Sequence, residues 1–385
     1  MGSIMRFFFT SKGQTGVIDL AGEAPHYIDF DVPLQETWQP CAFFPDGQRV
    51  LFLSMEVRRD GPGHPFAEYY HKTPTHCWIY DVESGDLEEV VSRERRAPFE
   101  TPQLLMGDER LLLQVVRDEG GQVFNVALDG TDAQPFTQLG EGLPYGFSLS
   151  PDGQRVAYHL ASPQGYQIWT SDAYGQQRRL IAADSDRLFF GPQFSPDGTW
   201  LAFMGCAYRD DPGHDWADVY IARPDGSEMR ALTEGQVAWF AATYGPSQRS
   251  GGGSNIVAWT PDGEIIVPYR SPQAQVPWVY QAHRPDVDHF NRELDGQGAR
   301  GGVQIVRLDT TDGARRALTP LREGIWDFRS SMSSDGTQLI FCRAQTGASP
   351  SIWVADSEGD YAREVTRGLD AEGADHPRFL PETNG

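Results

Sequence analysis

The residues of this chain that could do chemistry gather in a few stretches. One is Tyr208-Arg209-Asp210-Asp211-Pro212-Gly213-His214-Asp215-Trp216, which sets His214 between carboxylates and beside an aromatic. An imidazole there suits a general base or a metal ligand, because histidine titrates near neutrality. A capped loop histidine is the plainer reading of the same phrase. Tyr244, Arg249 and Asn255 flank Ser250-Gly251-Gly252-Gly253-Ser254. Those glycines allow close approach of backbone to a ligand, or simply make a flexible loop. A longer stretch, 277–292, holds Trp278, Tyr280, Arg284, Asp286, Asp288, His289 and Phe290. Its acidic groups and His289 suit a hard cation such as calcium, or zinc, although the spacing matches neither an EF-hand nor His-Glu-x-x-His. Tyr280 and Arg284 equally suit stacking on a sugar ring. A lid packed by Trp278, Tyr280 and Phe290 is the bland alternative.

Two further phrases are Trp326-Asp327-Phe328-Arg329 and Asp375-His376-Pro377-Arg378. Charged groups in otherwise apolar strands are not explained by core packing, since such groups are seldom buried without a partner. Ion pairing between neighbouring elements is the structural account of them. His159, Arg270 and Arg343 stand at the ends of apolar strands. They read either as groups lining one mouth or as ordinary surface cations. No Gly-x-Ser-x-Gly, P-loop or dinucleotide fingerprint is present.

The elements that must position these residues are written as a repeat. Phe44-Pro45-Asp46-Gly47, Ser150-Pro151-Asp152-Gly153, Ser195-Pro196-Asp197-Gly198, Thr260-Pro261-Asp262-Gly263 and Ser334-Asp335-Gly336 each lie between two apolar strands. Proline presets φ and glycine takes the positive φ, so each phrase is a tight hairpin turn. A full unit, 191–233, reads as four short strands ending in Leu232-Thr233. A degenerate turn at Gly107-Asp108 adds a unit. The strand after His376 adds a last one, whose missing strands are available at Arg6–Thr10 and Val17–Leu20. The pattern predicts an all-β fold: a seven-bladed β-propeller of four-stranded antiparallel blades, in one domain over 1–385, its last blade closed by N- and C-terminal strands. The short turns share one rim. The long insertions, about 56–75, 208–216, 235–255 and 271–302, are expected on the opposite rim, where function is expected.

Bulk composition narrows the partners. The formal net charge is −22, which disfavours nucleic acid and anionic membrane. It leaves room for an acidic oligosaccharide, because a local arginine cluster overrides the global sign at short range. No apolar run is long enough to span a membrane. The four cysteines are far apart and fit neither a zinc ribbon nor a disulfide framework. Met1-Gly2-Ser3-Ile4 reads as an appended stretch before a native start at Met5, and Phe7-Phe8-Phe9 is too short for a signal peptide. Cytoplasm is the expected location, and composition is silent on oligomeric state.

The Ser-Pro-Asp-Gly phrase resembles the TolB-like propellers over essentially the whole chain. Within that group the chain looks most like the oligogalacturonate lyases. Pro212-Gly213-His214-Asp215-Trp216, Trp259-Thr260-Pro261-Asp262-Gly263 and His376-Pro377-Arg378-Phe379 carry the closer likeness. The resemblance implies β-elimination on a uronate-containing sugar with a divalent metal, manganese in that family. At the metal motif the chain departs from it. His376 matches, Ala374 stands at a second ligand position, another falls near Arg329, and a fourth falls at Asn255 or Ile256.

The leading expectation is therefore a lyase. His214 or His159 would be the base and Tyr244 the acid, while Arg329 and Arg378 neutralise the developing charge. Asn255, Arg270, Tyr280, Arg284, Trp326 and Arg378 would bind substrate. His376, Asp375 and His289 would hold the metal, whether manganese, calcium or zinc. A non-catalytic propeller binding a protein or glycan at the loop-rich rim is a second expectation. A glycan hydrolase or isomerase using Asp210, Asp211 or Asp215 is a third.

Overall fold

The repeated turn owes its sequence to a small hydrogen-bond net. The Ser150 hydroxyl donates to Asp152 Oδ1 at 2.5 Å and accepts from the Arg155 amide at 2.9 Å. Asp152 Oδ1 also accepts from the Gln154 amide at 3.1 Å. Gly153 takes φ 70°, and its amide reaches back to the Ser150 carbonyl at 2.8 Å. The same net closes the turns at 195–198 and 333–336. The recurring threonine after the fourth strand has its own task. Thr137, Thr233, Thr319 and Thr366 accept from the amides of Val123, Val219, Ile305 and Ile352, locking fourth strand to third.

The computed structural model describes residues 5–11, 14–20, 25–29, 35–37, 42–44, 46–56, 75–90, 100–107, 109–117, 120–162, 165–207, 216–240, 257–275, 278–280, 292–294, 298–346, 348–366 and 373–380. Among them the strands pair into three four-stranded sheets, one five-stranded sheet, a separate two-stranded hairpin and one thirteen-stranded sheet. The last divides into three blades joined at Ala238 and at a parallel contact between Val303 and Trp326, so that the sheets divide into seven blades. Blade 1 runs from Ala42–Phe43 through Arg49–Glu56 and Thr75–Asp81 to Leu87–Val90. Blade 2 holds Glu100–Met106 to Gln134–Pro135, blade 3 Leu143–Leu149 to Arg179–Ala182, and blade 4 Arg187–Phe194 to Arg230–Ala231. Blade 5 runs from Ala258–Trp259 to Arg315–Ala317 and blade 6 from Ile325–Met332 to Arg363–Glu364. Blade 7 takes its innermost strand, Asp375–Phe379, from one end of the chain and the strands Arg6–Ser11, Gln14–Asp19 and His26–Tyr27 from the other. No helix among the described residues is long and apolar enough to cross a membrane.

The closing strand shows how the ring is held. Phe7, Phe8 and Phe9 are all fully buried. Alternation sends Phe7 and Phe9 into the core shared with Phe328, Ile340 and Cys342 of blade 6. It sends Phe8 the other way, against Phe52, Val50 and Tyr80 of blade 1. One strand thus fills both seams of the last blade, which is why it is apolar at every position rather than at every second one.

One expectation about the insertions changes. Residues 235–255 read as a link between blades. Ala238, however, pairs with Tyr269 on the strand that Ala258 and Trp259 also join. The insertion therefore interrupts the innermost strand of blade 5. Trp239 pins the first half, fully buried with ring centroids 5.2 Å from Trp326 and 5.4 Å from Phe328. The insertion before Gly302 contains a short hairpin, Trp278–Tyr280 with Arg292–Leu294.

Candidate active site at the seam of blades 6 and 7

The innermost strands of blades 2, 3, 4, 6 and 7 each carry one extra residue, and four of these shifts share a backbone feature. In blade 3 the pairing shifts between Tyr145 and Ser148, in blade 4 between Phe190 and Gln193, and in blade 6 between Phe328 and Ser331. Blade 7 shows the same shift on Asp375–Phe379, where Thr10 faces Asp375 and Phe8 faces Arg378. These are β-bulges, which re-aim side chains and recur beside active sites. The first residue after each of these four shifts adopts the left-handed conformation. In blades 3 and 4 it is Gly146 (φ 65°) and Gly191 (φ 64°). In blades 6 and 7 it is Arg329 (φ 49°) and His376 (φ 54°). Glycine meets no steric penalty there, whereas a residue with a Cβ costs about 1–2 kcal/mol. Strain of this kind clusters at functional sites but is not confined to them: Asp132, Gln177, Glu228, Gln236 and Tyr361 are left-handed as well.

The two strained residues meet at one carboxylate. Asp375 is buried and forms an ion pair with Arg329 Nη1 through Oδ2. Its Oδ1 accepts from the His376 amide at 2.7 Å and from Cys342 Sγ at 3.1 Å. Burial opposes charging Asp375, but the Arg329 guanidinium overcomes it and holds the carboxyl well below the usual range. The Cys342 thiol is pushed up, first by burial and then by the Asp375 charge, so it stays protonated.

His376 is neutral. Burial, then the charge of Arg329, lowers its pKa to about 3. Its tautomer follows from Thr10. The Thr10 hydroxyl donates to the Asp375 carbonyl (3.3 Å), so its oxygen accepts from His376 Nδ1 at 3.0 Å. That leaves Nε2 with the lone pair. Arg378, partly exposed three residues beyond Asp375, has no hydrogen-bond or ion-pair partner among the described residues. Burial, then the like charge of Arg329, lowers its pKa. With Arg378 charged, the centre carries two guanidinium groups, one carboxylate and one neutral imidazole in a chain of net charge −22.

Asp375, His376, Arg329 and Arg378 are thus brought together. His159 is not with them. It is buried on blade 3, stacked on Tyr166 (5.8 Å), and its Nδ1 accepts from the Gly191 amide at 3.4 Å across the seam to blade 4. Burial lowers its pKa to about 3. Trp326 is a core residue rather than a stacking platform: it is fully buried and its indole N–H donates to Thr346 Oγ1 at 3.0 Å. Arg270 braces blades 4 and 5, its guanidinium 4.8 Å from the Trp216 ring and donating to the Gly235 carbonyl at 2.9 Å. Arg343 forms a two-pronged pair with buried Asp327 at 2.7 and 2.8 Å. His214, Tyr244, Asn255, Arg284 and His289 lie outside the described residues, as does the side chain of Tyr280.

Sequence reasoning missed Thr10 and Cys342 as parts of this centre. It also missed the positional signal. Gly146, Gly191 and Arg329 each precede the serine that closes the turn (Ser150, Ser195, Ser333) by four residues. His376 stands in the same register before Leu380.

The donor set does not fit a divalent cation. Both Asp375 oxygens and His376 Nδ1 are engaged, which leaves His376 Nε2 as the one open donor of the set, with two arginines beside it. Among the described residues no three His, Cys, Asp or Glu side chains are placed to hold a metal ion together.

No family model matches the chain. It is 26% identical over 206 residues to the uncharacterized peptidase YuxL of Bacillus subtilis (strain 168), covering 50% of this chain and 28% of that protein. Among solved structures, an oligogalacturonate lyase in complex with manganese aligns over 96% of this chain and 88% of its own, with 16% identity and TM-score 0.55. A puromycin hydrolase aligns over 94% of this chain and 52% of its own, with 14% identity and TM-score 0.58. TolB proteins also align, more loosely. The chain thus spans about a quarter of the peptidase and about half of the hydrolase. At these identities the structures speak for fold alone. By fold the chain is a β-propeller, an architecture it shares with an oligogalacturonate lyase and with a puromycin hydrolase.

Proposed function

We propose that this propeller is an enzyme that cleaves a uronate-containing oligosaccharide by β-elimination at the seam of blades 6 and 7. The observation that carries the reading is Arg378, a partly buried guanidinium without a partner among the described residues, beside a neutral imidazole held in a strained conformation. Elimination needs a base for the proton α to the sugar carboxylate and cationic stabilisation of the enediolate. Arg378 binds the carboxylate and takes up its growing charge. His376 Nε2 accepts the α-proton, and the bound anion raises its low pKa toward the working range. The Arg329–Asp375 pair positions both through the bulge. Tyr244 remains the proposed acid for the leaving oxygen and His214 an alternative base.

Purified protein incubated with pectic, alginate and glycosaminoglycan oligosaccharides tests this. Ultraviolet absorbance of an unsaturated uronate, with a matching product mass, is the expected result. A product heavier by one water would instead identify a hydrolase. The matches to parts of longer proteins support a second reading, a propeller that binds a protein or glycan at its loop-rich face without chemistry of its own. Saturable binding without turnover of any glycan would select it.

A further inference from the structure

The centre at blades 6 and 7 has the parts of an anion receptor, and its charges are nearly matched within the protein. Asp375 neutralises Arg329 through their ion pair. Among the described residues nothing pairs with Arg378. Other partly buried arginines are engaged: Arg155 with the Gly198 carbonyl, Arg230 with the Thr310 carbonyl, and Arg343 with Asp327. A guanidinium half out of water and without a partner is costly, and a ligand oxyanion removes the cost. Its planar fork matches a carboxylate in two-pronged fashion. The bulge matters here as well. Simple alternation would put Asp375 and Arg378 on opposite faces of the strand, and the extra residue breaks that alternation.

We infer that this centre is a metal-independent carboxylate receptor: Arg378 holds the carboxylate of a hexuronate directly, and the Arg329–Asp375 ion pair fills the place a divalent cation would need. The choice of a hexuronate rests on the proposed function. The independence from metal rests on the donor set alone. A cation entering here would have to displace Arg329 from Asp375 and would sit beside two guanidinium groups.

Calorimetric titration of the full chain with galacturonate tests the inference, in chelator and again with added manganese. Galactose and inorganic phosphate serve as comparison ligands. Galacturonate should bind in chelator, galactose should not, and manganese should change the affinity by less than about twofold. Phosphate should bind more weakly than galacturonate, since the site is fitted to a planar carboxylate. Arg378→Gln should weaken galacturonate binding at least about tenfold with an unchanged thermal midpoint, and Arg378→Lys should keep part of it. Binding seen only with manganese overturns the inference, as does unchanged binding by Arg378→Gln or no galacturonate binding in either condition. The elimination reading fails separately. Chelator-resistant binding with no unsaturated product keeps the receptor and removes the lyase. Turnover abolished by chelator and restored by manganese keeps the lyase and removes the receptor.

Discussion

Arg329 and His376 occupy the same place in consecutive blades, each the left-handed residue of an inner-strand bulge, and Asp375 bonds to both. Its carboxylate pairs with the Arg329 guanidinium and accepts from the His376 amide. Blades 3 and 4 put glycine at that place. The Arg329–Asp375–His376 cluster is thus a substitution within the repeat, not an addition to it.

Glycine at the two positions should have opposite consequences. His376→Gly relieves backbone strain and loses the Thr10 hydrogen bond, so stability should stay within about 1 kcal/mol. Activity should fall at least about a hundredfold. Arg329→Gly relieves similar strain but strands the buried Asp375 carboxylate, and should cost about 3–5 kcal/mol. Urea denaturation of both variants, with turnover assays, checks the pair. Equal stability losses would remove the argument.

The glycine of blade 3 should not tolerate a side chain. A Cβ on Gly146 would lie 2.6 Å from His159 Nδ1, at φ 65°. Gly146→Ala should cost about 2 kcal/mol or more, from strain and overlap together. A thermal midpoint matching the parent protein would show that the seam between blades 3 and 4 is looser than described.

Acid should destabilise the protein before its carboxylates titrate. His159, lowered by burial, and His376, lowered by burial and by Arg329, both have folded pKa values of about 3 against an ordinary 6.5. Between those values the unfolded chain binds more protons, so stability rises with pH. The contribution is complete above about 6.5 and is lost as pH falls toward 3. Urea midpoints at stepped pH should decline through this window. His159→Gln should flatten the decline, and an unaltered slope in that variant would assign it to other groups.

Ring closure should depend on the alternating phenylalanines. Phe8→Ala empties the seam to blade 1 and should cost about 3–5 kcal/mol. Phe7→Ala should cost a similar amount through the seam to blade 6. Proteolysis of the amino-terminal strand under native conditions reports the opening. Resistance equal to the parent protein in both variants would contradict the closure described here.

The fold was legible because it is local and repeated. Pro-Asp-Gly and Ser-Pro-Asp-Gly are turns by their own chemistry, and each serine and aspartate bonds within five residues of itself. The break in blade 5 was not legible. Nothing around Ala238 and Trp239 announces a strand two residues long; pairing with Trp216, Ala217 and Tyr269 and burial against Trp326 and Phe328 make it one.

By itself the sequence determined the seven units, their closure by the terminal strands, and the presence of Arg329, Asp375, His376 and Arg378 in inner strands. Only the tertiary structure decided which of the candidate residues come together. Asp375 and Arg329 are 46 residues apart, and Thr10 lies 366 residues from His376. No local preference connects them. A bulge also reverses the face of every side chain beyond it, so a slip of one residue decides whether a charge reaches the seam. The same packing removed Trp326 to the core and His159 to another seam, because burial depends on neighbouring blades rather than on neighbours in the chain.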